Sequence, residues 1–132
     1  MTILEEHLEE CKFDKYFKKL VKKLKGKSVI LYGTGMLFEL VKEKYDLSEI
    51  NITAVSDIKY FPQQEGEKDF GYKILPYDKF VDETPDVILL GVKNYHDIME
   101  DFREDVFYKK PIEIIPLVKV PFLKRLKDII FE

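Results

Sequence analysis

Apolar residues run along this chain in two rhythms that take turns. From residue 3 to 25, Leu4, Leu8, Cys11, Phe13, Phe17, Leu20, Val21 and Leu24 recur every three or four positions. That spacing predicts an amphipathic helix, or two helices broken near Asp14, with Asp14 as cap of the second and Gly26 as the stop. Val29 to Tyr32 is then apolar without a break and runs into Gly33-Thr34-Gly35, after which Leu37, Leu40, Val41 and Lys44 return to helical spacing. A second strand is predicted over Ile50 to Ser56, ending at Asp57, and a short third one over Tyr72 to Leu75, stopped by Pro76. A brief helix near Tyr77 to Val81 leads to a fourth strand, Asp86 to Val92, whose unbroken apolar run suits a parallel strand covered on both faces. Next comes a helix with Asn94 as N-cap, Asp97 in a capping-box position and Ile98, Phe102 and Val106 as its buried stripe. A fifth strand, Ile112 to Ile115, ends at Pro116, and Pro121 opens a last amphipathic helix with Phe122, Leu123, Leu126, Ile129 and Ile130 on one side.

Strands alternating with helices imply an α/β protein with a doubly wound parallel sheet of about five strands, in the order 3-2-1-4-5, because right-handed crossovers place helices on both faces. In that order, strands one and four lie side by side and their connections leave in opposite directions, so a crevice opens between them. It collects Gly33 to Phe38, Asp57 and the segment Gly91 to His96. Gly33 can take a backbone shape that a side chain resists, and Gly35 lets a ligand approach the main chain. The first N–H groups of the following helix point into the same space and favour phosphate or carboxylate. Asp57 stands 22 positions after Gly35, the separation at which an acid takes the ribose hydroxyls in a dinucleotide-binding unit. The candidate ligand-binding residues are therefore Gly33, Thr34, Gly35, Met36, Asp57, Gly91 and Asn94. Phe38 sits where the glycine fingerprint has a small residue, so the ring is expected to shift the helix or turn outward. The polar stretch from Lys59 to Gly71 reads as an exposed loop, with Tyr60 or Phe61 as candidates to stack on a base.

At 132 residues, 45% hydrophobic and 36% charged, the chain fits one domain, with an extension over 1–26, a core over 27–118 and a final helix over 121–132. The formal net charge of −3 argues against nucleic acid or anionic membrane as a partner. The polar face of the first helical stretch changes sign, with Glu5, Glu6, Glu9 and Glu10 first and then seven lysines from Lys15 to Lys27; it is read as a solvated face that suits the helix dipole, the alternative being a basic surface that docks a partner or an anionic ligand. The single cysteine, Cys11, makes no internal disulfide, and no signal-like amino terminus or membrane-length apolar run occurs, which predicts a cytoplasmic protein. His7 and Cys11 lie one helical turn apart, but two ligands make no site, and no metal is expected. None of the eight tyrosines has a lysine four residues on, and no nucleophile elbow, phosphate loop or metal-ligand spacing occurs. That leaves His96 as the weak catalytic candidate, at a helix start where the dipole favours its neutral form.

Ile30 to Gly35, Ala54 to Asp57, Gly71 to Leu75 and Asp86 to Val92 resemble, in order and spacing, the Rossmann-like, CoA-binding-like domain of bacterial polysaccharide-biosynthesis proteins. The resemblance covers about residues 27 to 118. It implies a nucleotide, nucleotide-sugar or NAD(P)-type ligand held through Gly33, Gly35 and Asp57, and it lacks the catalytic part that such relatives attach. The expected function is a nucleotide or nucleotide-sugar binding module, accessory to surface-polysaccharide synthesis. The alternatives are an NAD-dependent sugar-nucleotide oxidoreductase using His96, or a non-catalytic subunit with an empty pocket whose terminal helices form a homodimer or dock on a glycosyltransferase.

Overall fold

The computed structural model describes residues 1–60, 68–76, 79, 83–105 and 112–121. Two helices, α1 (Ile3–Glu10) and α2 (Phe13–Leu24), precede β1 (Val29–Tyr32), which leads through the glycine turn into α3 (Met36–Lys44). Then follow β2 (Ile52–Ser56), a single 3-10 turn (Ile58–Tyr60), β3 (Lys68–Asp69), β4 (Tyr72–Lys73), β5 (Val87–Leu90), α4 (Tyr95–Asp105) and β6 (Glu113–Pro116). The main sheet has the order β2-β1-β5-β6 and every pairing in it is parallel.

All residues of β1 and β5 are buried, because each strand has helices on both sides. Alternate residues face opposite ways along a strand, and the two faces have different partners. Val29, Leu31, Val55 and Leu89 pack with Leu8, Phe13, Phe17, Leu20 and Leu24 of α1 and α2 and with Leu37, Phe38 and Val41 of α3. Ile30, Tyr32, Ala54, Ile88 and Leu90 pack with Tyr95 and Phe102 of α4. This is a Rossmann-like doubly wound fold, and the apolar stripe of the amino-terminal helices closes on its own sheet.

The predicted third strand is the element that shrinks. Ile74 makes one parallel bridge to Val55, and the Leu75 N–H donates to the Val55 carbonyl at 2.9 Å, so the segment lies outside β2 as the order 3-2-1-4-5 requires. Tyr72 and Lys73 instead pair antiparallel with Lys68 and Asp69, and Pro76 has no N–H with which to extend the ladder. The two-residue hairpin loop between them has both members, Phe70 (φ 53) and Gly71 (φ 83), in the left-handed region, the signature of a type I′ turn.

The amino-terminal stripe forms two helices, but the break falls at Cys11 and Lys12, and Lys12 takes a left-handed φ of 52. Asp14 does not cap α2; it accepts the Tyr45 hydroxyl at the end of α3. Strand six begins and ends one residue later than expected. The expected helix near 77–81, Phe61, Val106 and the helix beyond Pro121 lie outside the described residues, apart from Lys79, which is helical.

Candidate functional site

The site is built where β1 and β5 leave the sheet together. The Gly33 N–H donates to the Ser56 carbonyl at 2.9 Å, and the Gly91 N–H donates to the Tyr32 carbonyl at 2.8 Å, carrying the parallel pairing one residue past each strand. Gly33 has φ 102, and a Cβ there would stand 2.6 Å from Cγ1 of Val92. A Cβ on Gly91 would stand 2.4 Å from the Gly33 carbonyl oxygen and 3.4 Å from Cβ of Phe38. The two glycines thus touch back to back, and Gly91 also makes the room that Phe38 occupies. Phe38 neither shifts outward nor stands in the mouth. Its ring is fully buried and packs edge-to-face on Phe70 at 5.2 Å.

Beyond Gly33 the chain opens. Gly35 and Met36 are exposed, and nothing lies within 4 Å of a Cβ built on Gly35. Gly35 is the N-cap of α3 and offers no side-chain cap, and the first intrahelical bond comes from the Glu39 N–H to the Gly35 carbonyl at 3.0 Å. The N–H groups of Gly35, Met36, Leu37 and Phe38 therefore have no acceptor within the helix.

Asp57, half-buried, braces this turn. Its Oδ2 accepts the Thr34 N–H at 2.8 Å and the Thr34 hydroxyl at 3.5 Å, while Oδ1 accepts the Lys59 N–H at 3.1 Å. The Thr34 hydroxyl also meets the Tyr60 hydroxyl at 2.8 Å, and that phenol donates to Asp69. Burial, followed by the Asp69 carboxylate, pushes the Tyr60 phenol well above the usual tyrosine range. Lys59 reaches back over the same turn. Its Nζ donates to the Thr34 carbonyl at 2.8 Å, lies 5.2 and 5.9 Å from the Tyr60 and Phe70 ring centres, and is 4.0 Å from Asp69.

Gly33, Thr34, Asp57 and Gly91 come together, and Gly35 and Met36 form the open lip. Of the turn amides, those of Gly33 and Thr34 are already bonded, so the donors left for a ligand start at Gly35. Asn94 is exposed and immediately precedes α4. His96 lines a different place, a cavity of about 700 Å³ along β6 whose described walls include Tyr16, Lys19, Tyr95 and Glu113 but none of the glycine-turn residues. Tyr60 is buried and cannot stack on a base. Sequence reasoning missed Lys59, although its place two residues after Asp57 suits an Asx turn, the bond seen here. Cys11 and His7 are buried against each other, with Sγ 3.7 Å from Nε2, and among the described residues no group of three or more potential ligands could hold a metal. No helix of the described residues is long and apolar enough to cross a membrane.

No protein-family model and no curated protein sequence matches the chain. Solved structures do: RSP, a Rex-family repressor, is matched at 16% identity and TM-score 0.48, over 89% of this chain and 65% of that one. RSP with β-NADH is matched at 16% identity and TM-score 0.47, over 89% and 66%. RSP with β-NAD+ and operator DNA is matched at 16% identity and TM-score 0.49, over 89% and 62%, so the chain spans less than two thirds of these proteins. The expectation that excluded nucleic acid is corrected by that last structure, which holds operator DNA. Its basis, a net charge of −3, is a sum that hides eight lysines and one aspartate in residues 12–27.

Proposed function

We propose that the chain is a cytoplasmic nucleotide-binding module that seats the phosphates of a dinucleotide or nucleotide-sugar on the amino end of α3. The observation that carries this reading is the uncapped start of α3 at the switch point of the sheet, with open space above Gly35. Unpaired helix amides and the dipole behind them favour an anion there. The resemblance over residues 27–118 supports a role in surface-polysaccharide synthesis.

Calorimetry and thermal melting with NAD+, NADP+, CoA and UDP-glucose test the proposal. A ligand at a hundred times its Kd adds about 2.7 kcal/mol, which for a chain of this size raises Tm by about 10 °C. No heat and no shift with any of the four rejects it.

A further inference from the structure

We propose that two copies of this chain associate through unlike faces, the acidic groove between α1 and α3 of one copy against the lysine face of α2 in the other. The acidic groove, a cavity of about 680 Å³, is walled by Ile3 and Leu4 of α1, by Met36 and Leu40 of α3, and by a rim that includes Glu39 and Glu43. Ile3 and Met36 stand 76% and 75% exposed, two of the four large apolar side chains that lie open among the described residues. On α2, Phe17 and Val21 wall a second cavity, of about 600 Å³, whose described rim holds Lys18, Lys22 and Lys25 against a single acid, Glu49. The two cavities share no described wall residue. Each joins an apolar floor to a charged rim, and the rims are opposite in sign. Their spacing matches as well. Glu39 and Glu43 lie one turn apart on α3, as Lys18 and Lys22 do on α2, so one row can pair with the other. Among the described residues these four form no ion pair, whereas Lys23, Lys27, Lys44 and Glu5 are all paired within the chain. Two copies meeting through like faces would set acid against acid or lysine against lysine, so the contact is acid to base, and a net charge of −3 leaves little general repulsion to oppose it. Nucleic acid also suits lysines, but a phosphate makes no use of an apolar floor, and the matching acids stand on this same chain.

Sedimentation velocity at low salt over a wide range of protein concentration tests it. The wild type should exceed the monomer mass as concentration rises and return to monomer at high salt, where exposed charges are screened. The double variants Glu39→Lys with Glu43→Lys and Lys18→Glu with Lys22→Glu should each stay monomeric alone. Their equimolar mixture should associate again, because one keeps the lysine face and the other the acidic groove. Ile3→Ser should weaken association about tenfold through the apolar contact it loses. Lys68→Glu with Lys73→Glu, which reverses exposed charges outside both grooves, should associate as the wild type does. Melting curves like that of the wild type show that each variant folds. A wild type that is monomeric at every concentration, association that survives either double reversal, a mixture that stays monomeric, or an equal loss in the Lys68 and Lys73 control overturns the proposal. A monomeric wild type that binds duplex DNA through Lys18 and Lys22 gives the lysine face to nucleic acid instead.

Discussion

Gly33 and Gly91 are glycines for different reasons, and substitution separates them. A methyl on Gly91 would meet a backbone oxygen at 2.4 Å, an atom that cannot rotate away. On Gly33 it would meet Cγ1 of Val92, a stiff β-branched side chain, at 2.6 Å and the Gly91 backbone carbon at 3.2 Å, and at φ 102 any side chain is strained besides. Gly91→Ala should therefore cost about 3 kcal/mol as an overpacked contact, and Gly33→Ala about 1–2 kcal/mol of strain on top of its own contact. Denaturant midpoints order the two, and a Gly91→Ala protein as stable as wild type would disprove the back-to-back contact. Gly33 was legible in the sequence because its strand, turn and helix are contiguous. The other half of the contact was not, since it joins residues far apart in the chain. The fingerprint's missing small residue, expected at 38, is supplied across space by Gly91. Asp57 shows the same limit. Its spacing marked it as part of the site, but the direction of its carboxylate depends on an amide at Thr34 that no spacing rule reveals. Ser56 is fully buried and its Oγ has no hydrogen-bond partner among the described residues, so Ser56→Ala should leave the urea midpoint unchanged or raise stability by up to about 1 kcal/mol.

At the scale of elements, α3 trades a better cap for an open amino end. Serine is at least as good an N-cap as glycine, by a few tenths of a kcal/mol, and Gly35 has room for it. Gly35→Ser should raise Tm slightly and lower nucleotide affinity, because its hydroxyl would take an amide that the ligand needs. A rise in both would remove α3 from the binding site. The junction of α1 and α2 carries strain with no such return in the structure. Lys12 sits at φ 52, and Lys12→Gly should stabilise the protein by about 1 kcal/mol, read from the urea midpoint. The stripe of spacings three and four predicted these helices, but it could not place the break, because Lys12 is exposed and leaves no mark on an apolar pattern. The strands that were read best, β1 and β5, are those buried on both faces. The third strand is shared between two partners, because Ile74 and Leu75 meet β2 while Tyr72 and Lys73 pair with β3, a division that the apolar run does not reveal.

Across the whole molecule, tyrosine hydroxyls tie together parts of the chain that meet only on folding. Tyr16 of α2 donates to the Pro116 carbonyl of β6 at 2.5 Å, Tyr45 at the end of α3 to Asp14 of α2, and Tyr60 to Asp69 of the hairpin. Burial pushes all three phenols up, with the carboxylates of Asp14 and Asp69 adding to it at Tyr45 and Tyr60. Burial also raises Tyr72. Tyr45 is pushed up to about 12, and Tyr16 and Tyr60 lie higher still. Lys44 is raised too, first by its hydrogen bond to Glu5. Each of these groups holds its proton more tightly folded than unfolded. Their contribution to stability is therefore complete below pH 10, the ordinary phenol value, and is lost as pH climbs toward the folded-state values. Urea unfolding at pH 8, 10, 11 and 12 should show midpoints that hold to pH 10 and then fall steeply. Tyr16→Phe should lower the midpoint at pH 8 and flatten the alkaline fall, because the variant has one fewer proton to lose. A Tyr16→Phe protein whose midpoint equals that of the wild type at pH 8 and falls as steeply in alkali would show that this hydroxyl does not hold α2 to β6.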